Sequence, residues 1–366
     1  MRKVFILTAN LALVACLFMG GISCKKDKTD TSSQGTNYSK IVFQGSTSLS
    51  EARYIMGGTV SGNKILFGGG SDGNVNSKTV DIYDISTSTW TQSELSLARH
   101  SVAATTAGNK IFFAGGWATT TGPSKVIDIY NVSTGTWTID SLSMGRSDLG
   151  AGSAGDFVLF AGGYAGSNID TVDIYNLRTG VWTGANLSKP RDYIAGVSNG
   201  NKVFFAGGEI SGGNYSSAVD IFDASTQVWS LAQLSMKRLK YAAAAAGNKV
   251  LFAGGSNSDS LTRMVDVYNM NTSFMTVTML SEARYDMCGV SCGNLILFAG
   301  GTSATGLSDV IDIYNVNTGK WTIAHLSTPK RFITAVSAGN KILFGGGLTG
   351  MNWTDVTANV DVFQAQ

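Results

Sequence analysis

From about residue 40 to the end of the chain, apolar and polar positions follow one short programme that is repeated. In the second copy the programme runs "HSVAATTAG", small and apolar, then "NKIFFAGG", strongly apolar. Next come "KVIDIYNV", which alternates, and "GTWTID", which carries a tryptophan. Alternation of period two and short apolar runs bounded by glycine and asparagine predict β-strands. The Gly-Asn steps in "AGNK", "SGNK" and "NGNK" predict tight hairpins between the first two strands of a unit. No stretch after residue 30 sustains a helical period, so the pattern predicts an all-β protein.

The copies keep register. The second member of a glycine pair recurs at Gly70, Gly116, Gly163, Gly208, Gly255, Gly301 and Gly347, at intervals of 46, 47, 45, 47, 46 and 46 residues. An Asp opening a D-[IV]-[YF] triplet stands at Asp81, Asp128, Asp173, Asp220, Asp266, Asp312 and Asp361. Trp90, Trp137, Trp182, Trp229 and Trp321 follow at fixed distance, and Met275 takes that slot in the fifth unit. A basic residue precedes each glycine pair at Arg53, Arg99, Arg146, Arg191, Arg238, Arg284 and Lys330. Such a period marks units that bury their faces against one another. Seven units of four antiparallel strands predict a seven-bladed β-propeller.

With the double glycine, the later aromatic and the spaced tryptophan in place, the chain resembles the kelch-repeat propellers. Small residues in "VAATTAG" and "YAAAAAG" suit innermost strands that converge on an axis. Tyrosine and tryptophan are expected between blades, their polar edges satisfied by partners. The last unit stops at "VDVFQAQ", before any tryptophan strand, while "SKIVFQGSTSLSEAR" at the other end resembles a fourth strand. The last blade is therefore expected to be closed by the N-terminal strand, so that no sheet edge is left open.

The N-terminus adds an address. "MRKVFILTANLALVACLFMGGISC" has two cations, an apolar run and small residues before Cys24, and resembles a bacterial lipoprotein signal. Residues 1–23 are expected to be removed, Cys24 to be lipidated, residues 24–38 to form a flexible tether, and residues 39–366 to form the propeller. Cys16, ending "LVAC", is the alternative lipidation site. This predicts a cell-envelope protein held to the outer membrane by its lipid, facing the periplasm or the surface.

Composition narrows the partners. Charged residues are 14% of the chain, against roughly 25% in ordinary globular domains. Without Arg2 and Lys3 the formal charge of +2 becomes zero, which argues against nucleic acid. Cys288 and Cys292, four apart in one strand, would lie about 13 Å apart. A disulfide spans at most about 7 Å between Cα atoms, so they are expected as free, buried fillers.

The seven repeated cations are expected to make a scaffold contact, with the seven repeated Asp as candidate partners, because a binding site is asymmetric. Function is expected where the units differ, on the face shared by the loops joining strands two and three and the blade-to-blade connections. The first set carries Trp117, Tyr164, Glu209, Tyr215 and Trp353, with Arg263. The second carries Tyr54, His100, Asp148, Asp192, Tyr193, Lys240, Tyr285, Asp286 and Arg331. Aromatics with mixed charges suit a protein or glycan partner. The resemblance also implies, as an alternative, a sugar-acting enzyme such as a sialic acid or hexose mutarotase, with carboxylates among Asp148, Asp192, Asp286 and Glu209. A purely structural envelope role is the third reading. No catalytic residue, cofactor or metal site is assigned: the tyrosine–histidine copper site of some kelch oxidases has no counterpart, and "DGNVN" lacks the glycine and closing glutamate of a calcium loop. A monomeric propeller is expected.

Overall fold

The structure, a computed structural model, describes residues 37–257 and 260–366. The signal segment, Cys24, Cys16 and most of the tether lie outside the described residues. The described chain forms seven four-stranded antiparallel sheets arranged as the blades of a propeller. Blade 1 comprises Gly57–Ser61, Lys64–Gly68, Thr79–Asp84 and Thr89–Glu94, from axis to rim. Blade 7 comprises Thr334–Ala338, Lys341–Gly345, Asn359–Ala365 and, outermost, Ile41–Ser48. The two ends of the chain thus share one sheet, with Phe43 opposite Phe363 and their rings 5.3 Å apart.

Burial follows the sequence pattern across each blade. Second strands such as Ile65–Phe67 and Ile111–Ala114 are wholly buried, whereas rim strands such as Thr89–Glu94 and Thr136–Ser141 are mostly exposed, with only Trp90, Ser93, Trp137 and Asp140 half-buried. The innermost strands carry Ala, Gly, Ser and Val around an axial channel of about 250 Å³, lined by Thr59, Ala104, Gly152 and Ala244 among others. Residues with larger side chains would not converge there without collision. The apolar core lies between blades: Phe112, Leu142 and Phe160 form one cluster against which Tyr175 and Trp182 pack.

The tryptophans stitch neighbours together, as their polar edges require. Trp137 Nε1 donates to Ser93 Oγ at 2.8 Å and Trp182 Nε1 to Asp140 Oδ2 at 2.9 Å, in each case on the rim strand of the preceding blade. Trp90 Nε1 donates to Thr47 Oγ1 at 3.1 Å, so the N-terminal strand receives the same stitch and completes the circle. Cys288 and Cys292 are free and buried, as their spacing predicts.

The repeated cations are scaffold. Every one is buried and paired with the repeated Asp of its blade, at 2.5 Å for Arg99–Asp128, 2.6 Å for Arg238–Asp266 and 3.1 Å for Lys330–Asp361. In five blades the other carboxylate oxygen accepts a backbone amide from the same blade-to-blade segment, for example Ser96 N to Asp128 Oδ1 at 2.9 Å; on Asp173 and Asp361 the amide shares the cation's oxygen. The main-chain carbonyl of each cation accepts a hydrogen bond from the second glycine of the preceding blade, as in Gly70 N to Arg99 O at 3.0 Å. A Cβ on the first glycine, Gly69, would come within 2.6 Å of that same oxygen. The glycine pair is therefore needed for close approach between blades as well as for its positive φ of 69° and 102°.

The chain enters the propeller on the hairpin face. Tyr38 N donates to Asn294 Oδ1 at 2.6 Å, and Asn294 Nδ2 and Asn315 Nδ2 donate to Tyr38 O at 3.0 and 3.2 Å. The loops between strands two and three, and the blade-to-blade segments, lie on the opposite face. Blades 2, 4 and 6 add two-residue ladders to those loops (Trp117–Ala118 with Gly122–Pro123, Glu209–Ile210 with Asn214–Tyr215, Thr302–Ser303 with Gly306–Leu307), which the sequence pattern does not predict.

Candidate functional site

Each blade-to-blade segment treats the residues after its buried cation alike. The next residue pairs with the residue following a glycine pair, giving the bridges Tyr54–Ser71, His100–Trp117, Ser147–Tyr164, Asp192–Glu209, Leu239–Ser256, Tyr285–Thr302 and Arg331–Leu348. The residue after that is in the left-handed region in every blade: Ile55, Ser101, Asp148, Tyr193, Lys240, Asp286 and Phe332, with φ between 46° and 55°. None is glycine. A non-glycine residue in that region costs on the order of 1–3 kcal/mol, and such strain concentrates at functional sites.

All seven of these residues line one cavity of about 390 Å³ at the axis of the loop face. His100, Tyr241, Met287 and Trp353 also contribute to its wall. The left-handed turn aims one side chain per blade inward, and amide links such as Asp286 N to Lys240 O and Phe332 N to Asp286 O, each 3.1 Å, join neighbours around part of the rim. The scaffold is sevenfold, but the side chains it presents are chemically different.

The funnel has two characters. One wall is aromatic: Tyr54 stacks on Trp353 at 5.7 Å, and Phe332 lies 5.8 Å from Trp353. The Arg331 guanidinium sits 5.1 Å from the Trp353 ring centre and donates to Met351 O at 3.0 Å. The other wall carries Asp148 and Asp286, with Asp192 bridged to Glu209 in the layer outside it. Burial first, then Glu209 and Asp148, pushes the Asp192 carboxyl up to about 7. Burial pushes Asp286 up to about 6, against the pull of Lys240 and Arg331. Burial also raises Asp148, despite hydrogen bonds from Ser147 and Ser101. Tyr193 is pushed up to about 12, by Asp148 before burial, with Asp192, Glu209 and Asp286 adding to the effect. His100 is held below its ordinary value by burial, which Asp148 only partly offsets.

Of the residues expected from sequence, His100, Asp148, Tyr193, Lys240, Asp286 and Trp353 line the funnel. Tyr54 supports Trp353 by stacking, and Tyr285 lies beneath the Lys240 ammonium at 5.7 Å. Trp117, Tyr164, Glu209 and Tyr215 form an outer circle instead: each follows a glycine pair or sits in the loop beyond it, and none lines the funnel. Ile55, Ser101 and Phe332 are the left-handed funnel residues that pattern reading misses, and Met56, Tyr241, Met287, Ile333 and Thr334 are missed with them. The signal of the first three was present, a constant offset of two from the buried cation, but their side chains share nothing. Among the described residues, no group of three or more His, Cys, Asp and Glu is arranged to hold a metal ion.

The Kelch motif family model matches residues 53–93 and 98–139, the first two blades. No curated protein matches the chain by sequence. Among many solved structures that share the architecture, the one described as "Structure of YjhT" superposes with a TM-score of 0.61 at 16% identity, covering 76% of this chain and 99% of that one. At that identity the likeness concerns the fold.

Proposed function

We propose, from the premise of a seven-bladed propeller whose first two blades carry the Kelch motif, that this chain is an envelope-tethered binding module whose axial funnel takes a glycan. One observation carries the reading: seven strained backbone positions, one per blade, converge on a single cavity of about 390 Å³. Cavities of roughly 300–1,000 Å³ hold small ligands. Trp353 and Phe332 supply flat apolar surfaces for a sugar ring, and Asp148, Tyr193, Lys240 and Asp286 supply the hydrogen-bonding groups around it.

Trp353→Ala tests this. Trp353 is half exposed, so its loss should leave folding intact while weakening glycan binding at least tenfold on an array or by calorimetry. Trp117→Ala, on the outer circle, should leave binding to the funnel unchanged. Undiminished binding by Trp353→Ala would move the site elsewhere, and dependence on Trp117 and Tyr215 would favour a protein partner spread across the loop face.

A second reading, a sugar mutarotase, is favoured by Asp192 and Asp286, whose carboxyls are raised to about 7 and about 6. Groups poised near neutrality can both give and take a proton. Its measure is the exchange rate between sugar anomers by NMR, which Asp286→Asn should slow; an exchange rate equal to that of buffer removes the enzyme reading.

The envelope tether rests on Cys24 and the segment around it. The described chain joins the propeller at Tyr38, on the hairpin face, opposite the loops that form the funnel. Palmitate labelling should be lost in Cys24→Ala; loss in Cys16→Ala with retention in Cys24→Ala would reassign the lipidated residue.

A further inference from the structure

The ionisable groups in and around the funnel are unbalanced. Asp148 and Asp286 line it, Asp192 and Glu209 lie bridged in the layer outside, and all four carboxyls bear on Tyr193. Only two full cations oppose them, Lys240 and Arg331, and both act on Asp286. Each already has an aromatic neighbour, Tyr285 for Lys240 and Trp353 with Phe332 for Arg331. Asp148 and Asp192 receive neutral donors: Ser147 Oγ to Asp148 Oδ2 at 2.8 Å and Asn168 Nδ2 to Asp192 Oδ1 at 3.2 Å.

Independently, Asp286 Oδ2 accepts no hydrogen bond, although the residue is only 6% exposed and lines the cavity. The nearest guanidinium nitrogen, Arg331 Nη1, is 3.9 Å away, beyond hydrogen-bonding distance. A buried carboxylate oxygen without a donor is costly, and the cavity is the side from which a donor can come.

The geometry points to a cationic ligand: an amino sugar whose ammonium donates to Asp286 Oδ2, in a cavity that Asp148 also lines, while its ring lies against Phe332 and Trp353. This rests on the glycan reading and names the class of glycan. An ammonium supplies both the missing donor and the missing charge, and a charge-assisted hydrogen bond is about twice as strong as a neutral one. A carboxylated sugar would meet the acidic wall and be disfavoured.

The full chain, held in a polyoxyethylene detergent at pH 6.5 and low ionic strength, is titrated calorimetrically with five probes. These are methyl glucosaminide, its N-acetyl form, methyl glucoside, methyl glucuronide and cyclohexylammonium. The glucosaminide should bind at least about tenfold more tightly than the N-acetyl and plain glucosides, with the glucuronide weakest. Asp286→Asn should erase that preference, so that the glucosaminide binds no more tightly than the plain glucoside to the same variant. The series on the unaltered protein does not depend on that variant folding. Equal affinity for charged and neutral sugars, or tightest binding of the glucuronide, overturns the inference and leaves the glycan reading standing. Binding of cyclohexylammonium without any sugar overturns both, as does silence from all five probes.

Discussion

A chain lacking residues 38–52 is expected to show no cooperative unfolding transition, by circular dichroism or by tryptophan fluorescence. The deletion removes the outer strand of blade 7, Ile41–Ser48, which pairs along Asn359–Ala365. It removes Ile41 and Leu49, both buried, each worth roughly 1.5–3 kcal/mol. It takes away the Thr47 hydroxyl that satisfies Trp90, the amide of Ser50 that bonds Asp81, and the bond from Leu49 N to Ala358 O. These losses fall at the one seam where the ring is closed by strand pairing between distant ends rather than by a short connection. Domain stabilities are on the order of 5–15 kcal/mol, so the sum is comparable to the whole. A shortened chain that melts at the original temperature with the original steepness would mean that the circle closes in another way.

The contrast between scaffold and funnel explains what could be read from sequence. Blade number and strand order were legible because each rests on a contact made seven times, and repetition amplifies a weak local signal; closure followed from the one unit that lacks a fourth strand of its own. The pairing of Arg53 with Asp81, or Arg99 with Asp128, could be suspected for the same reason: both residues recur in fixed register. The funnel is the opposite case. Its seven positions share a backbone conformation that leaves no common residue signature, since Ile55, Ser101 and Phe332 are held in left-handed turns that Asp148 adopts at lower cost. Nor could the aromatic wall be found by pattern. Tyr54 and Trp353 belong to opposite ends of the chain and stack only because blade 7 meets blade 1. Sequence reading grouped Trp117, Tyr164, Glu209 and Tyr215 with the funnel because all lie on the same loop face. The bridges from the blade-to-blade segments hold that set one layer further out.

Replacing Arg238 by Met should cost about 3–5 kcal/mol in a denaturant titration, the range for breaking a buried ion pair by removing one partner. Both side chains of the Arg238–Asp266 pair are fully buried, so the surviving carboxylate would keep only the Ser235 amide, at 2.9 Å, as a donor to one oxygen. Adding Asp266→Leu should recover part of the loss, because an apolar pair leaves no unpaired charge behind. Arg238→Lys should fall between wild type and Arg238→Met, for a reason found in the last blade. There Lys330 does the same work, but its Nζ bonds Asn359 Oδ1 at 2.8 Å as well as Asp361. Blade 5 has Met264 in the place of that asparagine, and Arg238 instead donates to Phe252 O at 2.9 Å. An ammonium at position 238 would reach Asp266 and little else. Adding Met264→Asn to Arg238→Lys should then restore stability, whereas a denaturation midpoint indifferent to Arg238→Met would show that the buried pairs do not hold the blades to their connections.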